Sequence, residues 1–415
     1  MSDIKYAVIG AGITGTATAY KIKEMLGEEA FVIEKNKSIN GENQTAKNSC
    51  VVHAGIYYNK KKQPLKAELC VKGNEMLYDF CKDNGVFVNN TGKLVVATNK
   101  LEEDYVRDVY ETAKNNGVPG VEIISGEKAR ELEPNVDCIS ALYVPSSGIV
   151  DPTELVTKLY QLGPDENFVF GSEVKDIKQT ENGLELLIRD SDGDTSTITA
   201  DYVINAGGLF ADEIAKKANP ESKLTIDPTR GEAAKYNTHS GIIENGKIRQ
   251  ELKQNLSAKM NIYPSPFGYW IKDRTKAEIP LNEFKELFEK GEVGKTVGVH
   301  LTPVKDGSIV TLGPLYAKNS GKEDYSHSHD TKAFFEKVKD FFPNLKPEDL
   351  ELHQTGIQAI VKGNPDFHIQ KDEKIPNLIN AVLPSPGLTA CLAVGEYIVN
   401  NFLREENAKR SWDAG

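Results

Sequence analysis

Short apolar runs and stretches of helical spacing alternate from the start of the chain. Tyr6-Ala7-Val8-Ile9 reads as a buried strand, a glycine turn follows, and Ala17 to Met25 carries a helical pattern. Phe31-Val32-Ile33-Glu34 is a second short strand, which makes the opening a βαβ unit with the right-handed crossover such units adopt. Further along, Gly92 to Ala97 and Leu184 to Ile188 predict strands of a mixed or antiparallel sheet. Leu101 to Asn115 and Lys332 to Phe342 predict helices with a charged outer face. Tyr202-Val203-Ile204-Asn205 runs as a strand into Ala206-Gly207-Gly208, a second tight turn. Leu378 to Leu383, a Pro/Gly turn and an amphipathic helix from Thr389 to Phe402 complete the pattern, while Thr275 to Gly294 reads as a polar surface insertion. The alternation predicts an α/β chain.

At 415 residues the chain exceeds one small core. No clean linker divides it, so we expect two interleaved domains. One is a Rossmann-type dinucleotide domain from residues 1–82, 145–225 and 350–415. The other is a mixed β-sheet substrate domain from 83–144 and 226–349.

The formal charge of −11 argues against a nucleic-acid partner. Five cysteines form no C-x-x-C pair and give neither a metal nor a disulfide signal, which fits a reducing cytoplasm. No run of ~20 apolar residues predicts a membrane span, and Ser2-Asp3-Ile4-Lys5 leads straight into a strand rather than a signal peptide.

Gly10-Ala11-Gly12-Ile13-Thr14-Gly15 fits G-x-G-x-x-G between a strand and a helix. Its three glycines permit a tight turn, close approach of backbone to a pyrophosphate, and close packing of helix on strand. The helix N-terminus adds free N–H groups for phosphate. Glu34 falls 34 − 15 = 19 residues past the last glycine, where an acid meets a ribose diol about 20 residues on. The motif serves FAD and NAD alike. Additional glycine turns at Ala206-Gly207-Gly208 and Ser385-Pro386-Gly387-Leu388-Thr389 favour a dinucleotide site assembled from separate segments.

The N-terminal motif, Asn48-Ser49-Cys50-Val51-Val52-His53-Ala54-Gly55-Ile56-Tyr57-Tyr58, the run Leu65 to Gly73, and Pro386-Gly387-Leu388-Thr389 resemble the D-amino-acid-oxidase superfamily of FAD-dependent oxidoreductases. Within it the likeness is to the branch of L-2-hydroxyglutarate oxidases and glycerol-3-phosphate oxidases and dehydrogenases. Arg230-Gly231-Glu232, Ile262-Tyr263-Pro264, Gly298 to Pro303, Asp306-Gly307-Ser308 and Gly313-Pro314 extend it nearly end to end.

The resemblance implies bound FAD. It assigns the pyrophosphate and ribose to Gly10, Gly12, Gly15 and Glu34, with Ile13, Thr14, Lys35 and Val174 also at the cofactor. Asn48, Ser49, Ala206, Gly207, Gly208 and Gly356 line the cofactor further along, and Gly387, Leu388 and Thr389 meet the pyrimidine edge of the ring. Oxidation of a carbinol needs a base for the O–H proton while hydride leaves carbon. His53, in a segment whose counterpart passes beside the flavin, is the candidate; its own sequence alone favours a core histidine, and the resemblance reverses that. His300, set opposite Val299 and Leu301 in a strand, either faces the pocket or caps a sheet face. Lys259, Tyr263 and Lys272 are candidates to meet an anion. Arg230, in a matched motif, is a better candidate than a generic surface arginine, with a structural role as the other reading.

One departure stands out. The family usually places an arginine after Gly-Ile or Gly-Val, where its fork grips the substrate's anion; here that position is Gln358. Cys50 also replaces a family glycine, which should narrow the space beside His53. With the arginine missing and Leu315 to Gln354 short, the reading leans toward sn-glycerol 3-phosphate, oxidised to dihydroxyacetone phosphate. L-2-hydroxyglutarate, giving 2-oxoglutarate, is the alternative, and a superfamily amine or amino-acid oxidase is the third. A flavin-binding protein without catalysis is the non-enzyme reading. The electron acceptor would be a quinone, oxygen or a carrier protein. A quinone would bring peripheral contact with the inner face of the membrane, through a partner. Homodimers are common in such flavoproteins.

Overall fold

The computed structural model describes residues 2–40, 43–244, 247–272, 276–317 and 321–404. Two eight-stranded sheets organise the chain. In the first, Ile4–Ile9 lies between Thr195–Asn205 and Ala30–Ile33, parallel to both. Thr195–Asn205 is long enough to serve two neighbours on its other side. Its first half pairs antiparallel with Gly183–Arg189, and its last three residues pair parallel with Leu378–Val382. This sheet therefore draws strands from the beginning, middle and end of the chain.

Helices Ile13–Leu26, Pro64–Asn84 and Gly387–Ile398 pack together beside it. Two small residues permit their close approach. A Cβ on Gly395 would stand 2.8 Å from the Ala17 carbonyl oxygen, and one on Gly73 would stand 2.6 Å from the Thr389 carbonyl oxygen. The helices stop where a left-handed glycine is available: Gly27, Gly85 and Gly117 end Ile13–Leu26, Pro64–Asn84 and Lys100–Asn116. Asn99 caps the start of the last by accepting the Glu102 N–H.

The second sheet runs Glu351–Val361, Ile226–Asn237, Ile309–Ala317, His300–Val304, Asn261–Pro264, Lys93–Ala97, Ser140–Val144, Glu122–Ser125. One pair, Asn261–Pro264 with Lys93–Ala97, is parallel and the rest are antiparallel. Strand alternation in Lys93-Leu94-Val95-Val96-Ala97 sends Leu94 and Val96 into one apolar cluster and Val95 and Ala97 into another. Glu351–Val361, which the boundary at 350 grouped with the dinucleotide part, hydrogen-bonds instead to Ile226–Asn237 along its length.

Element ends shift from the sequence expectation in ordinary ways. The helix expected over Lys332 to Phe342 is Thr331–Val338, and Phe341 and Phe342 fold beneath it, ahead of Pro343. The expected insertion is a folded unit. Phe267–Trp270 pairs with Lys276–Ala277 and Val293–Thr296, and Phe284 of helix Leu281–Glu289 fills the space under Gly268. Thr275, where the insertion was expected to begin, lies outside the described residues. None of the described helices is long and apolar enough to cross a membrane.

Candidate functional site

A cleft of about 1160 Å³ runs from the glycine turn to the junction of the two sheets. Its first end is made of backbone. Gly10 has φ 102°, and a Cβ there would stand 2.6 Å from the Ala206 carbonyl oxygen; at Gly15 it would run into the Gly10 carbonyl. At Gly12 it would meet only Thr45 Oγ1, at 3.5 Å, and project into the cleft. The buried Glu34 carboxylate accepts the Ala11 N–H at 2.7 Å and the Asn36 N–H at 2.8 Å, which fixes it at the cleft wall. A backbone stripped of side chains, a helix N-terminus and an anchored acid together fit a dinucleotide.

Of the residues expected to hold it, Gly10, Gly12, Ile13, Thr14, Glu34, Lys35, Asn48, Ser49, Val174, Ala206, Gly207, Gly208, Gly356, Gly387 and Leu388 line the cleft. Gly15 and Thr389 stand behind it. Gly15 packs helix on strand, and Thr389 Oγ1 accepts the His53 backbone N–H at 3.0 Å.

The other end is made of side chains from distant segments. His53 is half-buried at the wall, its carbonyl accepting from Asn74 Nδ2 at 2.9 Å. Burial holds its pKa well below the usual imidazole value, and the nearby Lys93 ammonium lowers it further. His300 is buried and stacks on the Tyr263 ring, centroids 4.0 Å apart and planes 8° apart, with Nδ1 3.0 Å from Thr302 Oγ1. Burial first, then Lys93 and His53, keep its pKa low too. The hydroxyls of Tyr57 and Tyr263 are buried and have no hydrogen-bond partner. Such a hydroxyl costs ~1–3 kcal/mol left unpaired, which marks a place for a ligand.

Three sequence expectations are corrected here. Lys259 and Lys272 are exposed and line no part of the cleft. Alternation in Asn261–Pro264 turns Tyr263 inward, while Lys259 precedes that strand with its backbone N–H on Glu133, and Lys272 lies beyond Phe267–Trp270. Cys50 does not narrow the pocket. It keeps the left-handed backbone that a glycine would take, φ 60°, and its side chain stays out of the cleft lining, at a cost of ~1–2 kcal/mol. Gln358 does line the cleft, and its amide donates to the Tyr316 hydroxyl at 3.0 Å.

Cations reach this end from other elements, and the sequence reading missed them. Lys66 Nζ donates to the Pro365 carbonyl at 2.7 Å, and burial pushes its pKa down to about 8. Lys295 reaches the wall from Val293–Thr296, 3.3 Å from Asp108. The signal for Lys66 was its place in the run Leu65 to Gly73. Arg230 is buried, does not itself line the cleft, and pairs with Asp324 and with the lining residue Glu232.

A family model described as FAD dependent oxidoreductase matches residues 5–401. The chain belongs to that family. FAD is its cofactor, and the enzyme needs a small substrate and an electron acceptor. Among curated relatives it is 30% identical to an L-2-hydroxyglutarate dehydrogenase of Indibacter alkaliphilus, covering 95% of this chain and 97% of that one. It is 29% identical to the Escherichia coli L-2-hydroxyglutarate dehydrogenase, with 95% and 92% covered. The mitochondrial L-2-hydroxyglutarate dehydrogenase of Homo sapiens is 27% identical, over 96% and 88%. Among solved structures, the FAD-bound L-alpha-glycerophosphate oxidase of Mycoplasma pneumoniae shares the fold at TM-score 0.76 and 20% identity, over 95% of this chain and 94% of that one.

Proposed function

We propose that the enzyme oxidises the secondary alcohol of L-2-hydroxyglutarate to 2-oxoglutarate. The carrying observation is the far end of the cleft, where partnerless hydroxyls of Tyr57 and Tyr263 stand with His53, His300, Lys66 and Lys295. A dicarboxylate brings two anions and one reacting hydroxyl to such a wall. Two lysines can hold carboxylates as point charges where Gln358 cannot. The relatives named above carry this substrate in their names, so the lean toward glycerol 3-phosphate, which rested on Gln358 and a short segment, is set aside.

FAD bound along the cleft supplies the hydride acceptor. In this reading Gly10, Gly12, Ile13, Thr14, Glu34, Lys35 and Val174 hold its dinucleotide half. Asn48, Ser49, Ala206 to Gly208 and Gly356 continue the grip, and Gly387 and Leu388 line the cleft where the ring would lie. His53, kept neutral, takes the hydroxyl proton; its backbone is pinned by Thr389 and Asn74, so the ring is aimed before substrate arrives. Tyr263 and His300 hydrogen-bond the substrate's oxygens. The first sheet serves as the cofactor domain and the second as the substrate domain.

The test is anaerobic addition of L-2-hydroxyglutarate, its D enantiomer and glycerol 3-phosphate to the yellow protein, with flavin absorbance followed. Bleaching by the L-hydroxy acid alone is expected. Bleaching by glycerol 3-phosphate alone would restore the other substrate.

A further inference from the structure

Residues 321–330, which lead into helix Thr331–Val338, form neither helix nor strand. Chain of that kind has no ladder to pair its polar groups, so side chains must hold it. Two buried side chains of Ile226–Asn237 do so. The Arg230 guanidinium, 2% exposed, donates to every second residue of the segment: to the Asp324 carboxylate, to Ser326 Oγ at 2.9 Å and to Ser328 Oγ. Glu232, with no exposed surface, accepts the Ser328 N–H at 2.8 Å and the His329 N–H at 3.0 Å. A planar fork of five donors suits three acceptors in a row, as a compact ammonium would not.

With residues 324, 326 and 328 turned to Arg230, the intervening Glu323 and Tyr325 line the cleft. The Tyr325 hydroxyl accepts from Gln44 Nε2 at 2.8 Å, and the Lys47 ammonium stands 3.6 Å from its ring centre. Gln44 is itself fixed, its Oε1 accepting the Ile357 N–H of Glu351–Val361 at 2.6 Å. The next residue, Thr45, accepts the Ile13 N–H at 2.9 Å, which lays this stretch against the first turn of Ile13–Leu26. At the other end of the segment, Lys322 pairs with Asp212 and Glu213 of helix Ala211–Ala218, at 2.6 and 2.7 Å. That helix packs on the first sheet, so the segment ties the second sheet to two separate pieces of the cofactor side.

We propose that residues 322–329 are a strap that holds FAD in the cleft, with Arg230 as its positioning residue. The guanidinium orders the strap, the strap sets Tyr325 on Gln44, and Gln44 keeps the stretch 44–48 closed against the glycine turn. Gln44, Thr45, Lys47 and Asn48 line the same cleft as the glycine turn, so a dinucleotide lying there leaves on this side only when strap and stretch part. The Arg230–Glu232 pair, 3.4 Å apart and out of water, is costly to break, which keeps the strap shut. The proposal does not depend on which alcohol is oxidised.

The experiment uses the FAD-loaded enzyme and follows exchange of its bound FAD for isotopically labelled FAD added in excess. Tyr325→Phe removes one hydrogen bond at the cleft end of the strap and should speed exchange about 2- to 10-fold. Arg230→Lys keeps a charge beside Glu232 but loses the fork, and should speed it ~10-fold or more. If Arg230→Lys folds poorly, Tyr325→Phe alone decides. Gln44→Ala cuts the same link from its other side, so adding Tyr325→Phe to it should bring no further increase. Effects of the two that multiply would overturn the relay through Gln44. Exchange as slow in both single variants as in the wild type would overturn the strap. So would a lowered unfolding midpoint of Tyr325→Phe with unchanged exchange, which would make Tyr325 a packing residue only.

Discussion

The two ends of the cleft are built on opposite principles. At the glycine turn the wall is backbone, contributed mainly by one contiguous stretch, and its one buried acid is satisfied by two N–H groups of its own neighbourhood. At the far end the wall is side chain, gathered from several segments, and it holds two tyrosine hydroxyls that the protein leaves without a hydrogen-bond partner. The first end is finished when the chain folds; the second is finished only when substrate arrives. Rigid, self-satisfied geometry suits a cofactor that stays. Unsatisfied polar groups suit a ligand that must be bound, changed and released, because they are worth most when a transient charge appears among them.

The sharpest way to separate the ends is to remove chemistry at one while leaving the other whole. His53→Ala should lower the rate of flavin reduction by ~10²–10⁴-fold, the usual worth of a positioned base, with the yellow colour retained. Colourless protein would mean that His53 serves the cofactor instead. The converse is Gly15→Ala, whose new methyl runs into the Gly10 carbonyl. It should cost ~2–4 kcal/mol in thermal unfolding and yield protein depleted of FAD. Normal flavin content and stability would show that the turn is more compliant than its geometry implies.

Acid should weaken the far end as well. His53 and His300 are held neutral in the fold, whereas the unfolded chain protonates both below the ordinary imidazole value of 6.5. The unfolded state then binds more protons, so stability should fall as pH drops through 6.5, by up to ~1.4 kcal/mol per pH unit for each histidine. Denaturant midpoints that stay flat from pH 7 to pH 5 would contradict this.

Tyr263→Phe removes a hydroxyl with no protein partner. Stability should hold or rise by a few tenths of a kcal/mol while KM rises ~10-fold, about 1.4 kcal/mol of binding. A stability loss with unchanged KM would return the hydroxyl to the protein's own framework. The smallest effect is expected at Cys50, whose left-handed backbone suits glycine: Cys50→Gly should gain up to ~1 kcal/mol without altering catalysis. A loss would show that the thiol packs better than it appears.

The same contrast explains what could be read from the chain. Gly10 to Gly15 and Glu34 announce themselves because a turn and its helix are local, and the spacing to the acid is set by one βαβ unit. The alternation at Val299-His300-Leu301 left His300 open to two faces, and the geometry resolves it toward the cleft. Lys259 and Lys272 misled because nearness in sequence to Tyr263 says nothing of which way a lysine points; Lys259 comes just before the strand and turns to solvent. Lys93 was invisible for the converse reason. Its neighbours Cys70, Tyr57 and Tyr263 come from three other stretches of chain, and only the sheet brings them together. Nothing in the strand pattern says that a lysine beginning an apolar run is swallowed whole.

The first sheet takes Leu378–Val382 on one side of Thr195–Asn205, and its covering helix Gly387–Ile398 pins Thr389 against His53. That order has a consequence during synthesis. A ribosome adding 5–20 residues per second needs roughly 20–80 s to reach the end of that helix, and until then the glycine turn exists without its roof. The turn can form early, yet flavin has nothing to close over it. Cofactor loading is thus a late event that waits for Leu378–Val382 and Gly387–Ile398 to dock on the rest of the fold.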